Sequence, residues 1–168
     1  TNNYITLLTT GIYENKLYEL LKNIINKNKN EYKVSFLPSF TGVKVRLSAI
    51  EINADLSKFK NIIIDRIGQY IYGFNNDKIE DIVAEKMIDR KLTVAVAESC
   101  TGGYISKKIT DQQGSSKYFK GSVVAYDNDI KKSFLDIPEE LLKEKGAVSK
   151  EVAIKMAESI KNRFNVNI

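Results

Sequence analysis

The sequence predicts an α/β protein made of two modules, and three features support this fold class. Residues 1–75 carry elements in the order β-α-β-β-α, which indicates a small α+β module. Residues 76–168 alternate short apolar strands with helices, a pattern typical of a mostly parallel sheet. The segment Gly-Phe-Asn-Asn at 73–76 separates the two patterns, so we predict a domain boundary after residue 75.

Hydrophobic spacing predicts the elements of the first module. Apolar residues recur at helical spacing over 14–28 and 56–67, which predicts two amphipathic helices. Apolar and polar residues alternate over 43–49, which predicts a strand with one exposed face. Weaker strand patterns cover 4–9, 34–37 and 70–72, and the second of these is expected to stop at Pro38.

In the second module, apolar runs predict strands at 93–97 and 121–126, and a third strand beginning at 166–168. Helix-start residues suggest where four helices begin: Asp77, Asp127 or Asn128, Pro138 and Ser149. A further helix is expected over 101–110, with its helical pattern starting at Tyr104. Five residues of the last helix are expected to face inward: Val152, Ala153, Met156, Ala157 and Ile160.

The composition limits the possible chemistry. The 168 residues include no histidine, so Ser-His and Cys-His pairs and histidine metal sites are excluded within the chain. The single cysteine cannot form an internal disulfide, which favours a reducing, cytoplasmic location. No apolar run approaches the roughly 20 residues that span a bilayer, so we expect no membrane association.

The net charge of +5 lies mainly in the first module, where residues 1–76 hold ten Lys and Arg against six Asp and Glu. Such an excess permits a nucleic-acid surface. It fits a solvated basic face better, because no Arg-rich cluster or interleaved aromatic stripe accompanies it.

Residues 93–103 form the most informative segment, Thr-Val-Ala-Val-Ala-Glu-Ser-Cys-Thr-Gly-Gly. It predicts a buried strand, a tight turn and a helix start, where free backbone N–H groups attract anions. Ser99 therefore lies where a nucleophile would meet oxyanion donors. An ordinary helix cap followed by a glycine turn explains the same residues equally well. Cys100 could be a reactive thiol at a helix start. It is interpreted instead as a core residue, because small buried cysteines are common.

Tyr126 and Lys131 follow the next predicted strand. In a parallel sheet both strands end at the same edge, where ligands bind, and a desolvated lysine there could deprotonate a serine. A strand-end tyrosine and a surface lysine are the commoner interpretation of this spacing.

Ordered motifs in the second half of the chain resemble the C-terminal domain of the CinA (competence/damage-inducible protein) family. They are Ala97 to Gly103, Gly114 to Phe119, Gly121 to Tyr126, Lys131, Leu135 and Gly146 to Ser149. Residues 1–75 resemble, more weakly, the KH-like middle domain of full-length members.

The resemblance implies a nicotinamide mononucleotide deamidase, which hydrolyses the substrate carboxamide to nicotinate mononucleotide and ammonia. It implies Ser99 as nucleophile, assisted by Tyr126 and Lys131. The N–H groups of Thr101, Gly102 and Gly103 would bind the oxyanion, and no metal or redox cofactor is implied. The expected partners are the small nucleotide substrate and further copies of the chain, with nucleic acid not expected.

Family members continue beyond the position of Ile168 with a glycine-rich Thr-Gly-Ile-Ala-Gly-Pro-type segment and further strands. The resemblance therefore implies that residues 76–168 match only part of a deamidase domain, so the chain could be inactive alone. Full-length members also carry an N-terminal molybdopterin-binding-like domain. The alternative function is a non-catalytic KH-like module for nucleic-acid binding or assembly, although the Gly-x-x-Gly spacing of KH domains does not occur.

Overall fold

The computed structural model describes residues 4–51 and 54–168. The chain divides into two compact units, Thr1–Ile82 and Val83–Ile168. The first contains an antiparallel sheet and the second a parallel one, so the predicted α/β class is confirmed. The described helices include none that is both long and apolar enough to cross a membrane.

The first unit is a four-stranded sheet with two helices. Its elements are β1 (Tyr4–Thr9), α1 (Glu14–Asn28), β2 (Tyr32–Ser39), β3 (Gly42–Ala49), α2 (Leu56–Ile67) and β4 (Ile71–Phe74). The strand order is β2-β3-β1-β4, with antiparallel neighbours throughout. The predicted β-α-β-β-α order is confirmed, and the extended stretch expected near residue 71 pairs with β1 as β4.

Both helices of the first unit pack on one face of this sheet. Leu17 and Leu21 of α1 and Ile63 of α2 share a buried cluster with Val45 and Leu47 of β3. Because side chains alternate along a strand, the residues between these positions of β3 point to the other face, away from the helices.

The predicted end of β2 at Pro38 is wrong, because the strand continues to Ser39 and Pro38 lies opposite Val43. β2 is an edge strand, where a proline without an N–H group costs the sheet no ladder bond. The turn into β3 requires glycine at position 42, where φ is +140° and a Cβ atom would collide with the carbonyl oxygen of Thr9.

The second unit alternates strands and helices. After α3 (Ile79–Asp89) come β5 (Val94–Glu98), α4 (Tyr104–Thr110), β6 (Phe119–Val124), α5 (Asn128–Leu135), α6 (Glu139–Lys145) and α7 (Lys150–Phe164). β5 and β6 are parallel, and Glu98 lies opposite Val124. Their core is formed mainly with α5 and α7, through Ala95, Leu135, Val152 and Ile160.

Two predictions for the helices of this region are wrong in detail. Asp77 does not cap α3: its carboxylate instead accepts a hydrogen bond from the Phe74 amide at 2.8 Å. On α7, Val152, Met156 and Ile160 are buried as predicted, whereas Ala153 and Ala157 are exposed. The predicted Ser149 cap is confirmed, since its hydroxyl accepts from the Val152 amide at 3.3 Å.

Residues 166–168 are not a strand, contrary to prediction, although they lie beside β5. The amides of Asn167 and Ile168 both donate to the carbonyl of Thr93 at 3.1 Å, and the Ala95 amide donates to the Ile168 carbonyl at 3.2 Å. The side chain of Asn167 also accepts from the Thr93 amide at 2.8 Å. These bonds fix the start of β5 from the side opposite to β6.

Candidate active site

The carboxyl ends of β5 and β6 lie side by side. The two strands are parallel, and the Ala125 amide donates to the Glu98 carbonyl at 2.7 Å, just past the last paired residues. Neighbouring strands are about 4.8 Å apart. Ser99, the residue after β5, therefore lies at the same sheet edge as Ala125 and Tyr126, which follow β6.

Ser99 is half-buried and begins the turn that leads into α4. Its carbonyl accepts from the Gly102 amide at 3.0 Å. Gly102 and Gly103 have φ values of +58° and +97°, which glycine adopts without strain. Because these two residues are left-handed, α4 begins at Tyr104, three residues after the predicted start at Thr101.

Glu98 holds this turn against the first residues of α4, and its side chain is 1% exposed. Its Oε2 accepts from the amides of Gly103 (3.0 Å) and Ile105 (3.1 Å). Its Oε1 accepts from the Ser106 amide at 2.8 Å and from the Ser106 hydroxyl. One carboxylate thus satisfies helix-start N–H groups that would otherwise lack an acceptor.

These bonds also decide the ionisation of Glu98. Burial by itself raises the pKa of a carboxyl group, but the hydrogen bonds from Ser106, Thr101 and Ile105 together outweigh it. The pKa of Glu98 is lowered to about 2. The side chain is therefore a fixed negative charge and hydrogen-bond acceptor at neutral pH, and is unavailable as a proton donor.

The amides expected to bind an oxyanion are only partly free. The Gly102 amide donates to Ser99, and the Gly103 amide donates to Glu98, so neither matches the expectation of an open donor. In the described part of the chain, the amides of Cys100 and Thr101 donate to no protein acceptor. The free N–H groups of the turn thus lie one to two residues after Ser99.

Lys131 lies in α5 and is 2% exposed. Its Nζ donates to the main-chain carbonyl of Tyr126 at 2.9 Å, which brings the amine back to the end of β6. Asp127 sets the start of this helix, since its carboxylate accepts from the Asp129 amide at 2.7 Å. The alternative of a surface lysine, favoured on spacing alone, is wrong.

Tyr126 contributes to this arrangement through its backbone. Its side chain is 75% exposed, and the group that accepts from Lys131 is the carbonyl oxygen, not the phenol. Cys100 differs from its expected core position, because it is exposed in the turn after Ser99.

Sequence reasoning did not assign a role to Glu98. The sequence does contain a signal for it, because Glu98 is an acidic residue at the end of an apolar strand. In addition, the N-cap of α4 is Gly103, which has no side chain to accept hydrogen bonds from the first amides of the helix. Those amides can therefore bind a carboxylate from another element. Among the described residues, no cluster of His, Cys, Asp and Glu could hold a metal ion.

Family models match both units of the chain. The model for the CinA C-terminal domain matches residues 76–168, and that for the damage-inducible protein CinA KH domain matches residues 5–73. The chain belongs to the CinA family. The serine turn and the lysine described above both lie within the matched C-terminal domain.

Curated CinA-like proteins resemble the chain over nearly its whole length. One from Thermotoga sp. (strain RQ2) is 38% identical over 165 residues, covering 98% of this chain and 40% of the relative. Another from Desulfotalea psychrophila is 37% identical over 164 residues, covering 91% of this chain and 40% of the relative. The chain thus spans about two fifths of the length of these CinA-like proteins.

Solved structures of CinA-family proteins match about half of the chain. The competence/damage-inducible protein CihA from Agrobacterium tumefaciens is 35% identical with a TM-score of 0.51, covering 52% of this chain and 53% of that one. A CinA superfamily protein from Enterobacter cloacae is 26% identical with a TM-score of 0.51, covering 55% and 57% of the two chains.

Proposed function

We propose that the second unit hydrolyses the carboxamide of nicotinamide mononucleotide, giving nicotinate mononucleotide and ammonia. One observation carries this proposal. The buried Lys131 amine is hydrogen-bonded to the end of β6, at the sheet edge where Ser99 follows β5. A serine and a buried amine at one edge are the two groups that a histidine-free serine amidase requires.

Lys131 acts as the general base. The amine accepts the proton of Ser99 as the serine hydroxyl attacks the amide carbon. The Tyr126 carbonyl accepts one N–H of the amine and so directs its lone pair. A positioned base of this kind typically contributes 10²–10⁴-fold to the rate.

The oxyanion that forms on the amide oxygen is bound by the free N–H groups of the turn. Those of Cys100 and Thr101 fit this role, whereas those of Gly102 and Gly103 are already engaged. Loss of one such donor typically costs about 10²–10³-fold in rate. The tetrahedral intermediate collapses, and Lys131 returns the proton to the leaving nitrogen, which departs as ammonia.

Water then attacks the acyl-enzyme as Lys131 removes its proton. The ester bond to Ser99 breaks, Lys131 returns the proton to the serine oxygen, and nicotinate mononucleotide leaves. No metal or redox cofactor takes part in either step. We further propose that the protein acts in the cytoplasm and forms a homo-oligomer.

The experiment measures ammonia release from nicotinamide mononucleotide by the 168-residue chain, by Ser99→Ala and by Lys131→Met. We expect each substitution to lower turnover by at least about 10²-fold. Lys132→Met is the matched control, because the neighbouring lysine is ion-paired with Asp129 at 2.7 Å outside the site. Near-wild-type turnover in either site variant, or no ammonia release by the unaltered chain, rejects the proposal.

A further inference from the structure

The open face of the sheet in the first unit carries a polar cavity of about 340 Å³. Lys44 and Arg46 of β3 point into it, since the residues alternating with them, Val45 and Leu47, pack against the helices on the opposite face. Thr6 of β1 lies opposite Arg46 in the sheet. Asn75 and Asn76, just after β4, complete the polar wall.

The two cations of this cavity lack carboxylate partners. Within residues 4–51 and 54–168, neither Lys44 nor Arg46 forms an ion pair, and the cavity wall contains no acidic side chain. The Arg46 guanidinium lies 4.5 Å from the centre of the Tyr4 ring. Stacking of this kind fixes the plane of the guanidinium, so that its edge is directed at a ligand.

One donor of this cavity is buried and unused. The Nε of Arg46 is buried and has no hydrogen-bond partner. Asn75 is held in place from both sides, because its amide donates to the Thr6 carbonyl at 2.7 Å and its Oδ1 accepts from the Thr6 amide at 3.0 Å. Its side-chain NH₂ group is then directed away from β1 as a further donor. An anion in the cavity would accept hydrogen bonds from this NH₂ group and pair with the charge of the Arg46 guanidinium.

A second cavity of about 420 Å³ adjoins the first and shares Lys44, Asn75 and Asn76 with it. It adds two aromatic side chains, Phe40, which is fully exposed, and Tyr72, which is half-buried. The Tyr72 hydroxyl lies 3.0 Å from the Thr41 hydroxyl. Its wall also contains Asp77 and Glu80. Aromatic faces stack on bases, and carboxylates accept hydrogen bonds from sugar hydroxyls or base amino groups.

We propose that this face of the first unit binds a mononucleotide, with Lys44 and Arg46 holding the phosphate and the aromatic cavity holding the nucleoside. The site belongs to the first unit, whereas Ser99 and Lys131 belong to the second, so the proposal does not depend on the hydrolysis proposed there. Bidentate Arg contacts suit phosphate oxygens, and Lys44 adds charge from the shared wall of the two cavities. The acidic groups lie only in the cavity assigned to the nucleoside, so they do not repel the phosphate.

The test is calorimetric titration of the full chain with AMP, adenosine and a ten-residue oligothymidylate. We expect saturable AMP binding, with adenosine bound at least about tenfold more weakly because charge-assisted bonds are lost. Arg46→Gln and Lys44→Gln should each weaken AMP binding by roughly tenfold. Lys33→Gln is the matched control, since Lys33 lies on the same sheet face outside both cavities.

Circular dichroism identifies any variant that fails to fold. If Arg46→Gln does not fold, Lys44→Gln still tests the proposal, because Lys44 is exposed. Equal affinity for adenosine and AMP overturns the proposal, as does an equal loss of affinity in Lys33→Gln. Binding of the oligonucleotide without AMP binding also overturns it, in favour of a nucleic-acid surface. Absence of saturable AMP binding overturns it too.

Discussion

Glu98 connects the end of β5 to the first turn of α4, and both of its oxygens are used. Glutamine at this position keeps the size of the side chain but replaces one oxygen with an NH₂ group. Whichever way the amide is oriented, the NH₂ group faces backbone N–H donors. A buried donor without an acceptor costs about 1–3 kcal/mol, so the turn beside Ser99 should loosen.

We therefore expect Glu98→Gln to accelerate hydrogen exchange at the Gly103, Ile105 and Ser106 amides by roughly 5- to 150-fold. Glu140→Gln, on the exposed side of α6, serves as the control and should leave these amides unchanged. Unchanged protection in Glu98→Gln would contradict the role assigned to the carboxylate. This readout does not depend on the reaction proposed for the site.

Tyr126 allows its phenol and its backbone to be tested separately. The Lys131 amine is bonded to the carbonyl of residue 126, which Tyr126→Phe retains. Turnover of nicotinamide mononucleotide by Tyr126→Phe should stay within about tenfold of wild type. A loss of 10²–10⁴-fold would instead mean that the phenol transfers a proton in the reaction.

The start of helix α2 is stabilised by one capping side chain, that of Asp55. The Asp55 carboxylate accepts from the amides of Ser57 at 3.0 Å and Lys58 at 3.1 Å. We expect Asp55→Ala to lower the free energy of unfolding by about 0.5–2 kcal/mol, measured by urea denaturation. Asp65→Ala, on the exposed face of the same helix, should change it little; equal losses in the two variants would exclude the cap as the cause.

At the element scale, the sequence predicts what depends on local pattern. The limits of α1 and α2 follow from hydrophobic spacing, and the start of α7 follows from Ser149. Contacts between distant residues were not predictable in this way. Asp77 is a good cap by type, yet its carboxylate binds the Phe74 amide of the preceding turn. The start of α4 depends on two left-handed glycines and on a carboxylate from β5.

For the candidate site, residue types and strand order predicted Ser99, Tyr126 and Lys131 at one sheet edge. Burial was not predictable, because spacing alone could not tell that Lys131 turns back to the Tyr126 carbonyl or that Cys100 faces solvent. The occupied amides of Gly102 and Gly103 were missed for the same reason. A sequence shows which N–H groups a turn offers, but their acceptors are fixed by tertiary structure.

On the scale of the whole molecule, the low pKa of Glu98 links folding to pH. The pKa is 4.5 in a free side chain and about 2 in the folded protein. Because the pKa is lower in the folded protein, the ionised carboxylate stabilises the fold. This stabilisation is complete above pH 4.5 and is lost as the pH falls towards 2. This difference in pKa corresponds to about 3 kcal/mol in the free energy of unfolding.

Urea denaturation at pH 7, 4 and 2.5 should show this loss in the unaltered chain and a smaller loss in Glu98→Gln. Asp129 and Glu139 also have lowered pKa values, because of hydrogen bonds from Lys132 and Lys143. Their ion pairs are exposed, so high salt screens them and leaves the contribution of Glu98. Equal pH dependence in the two proteins would contradict the assignment.

The bond from Lys131 to a main-chain oxygen has a consequence for the evolution of the site. Every amino acid has that oxygen, so no substitution at position 126 can delete it while the strand keeps its course. The Tyr126 side chain is 75% exposed and takes no part in the bond, so it can diverge while the Lys131 amine stays in place.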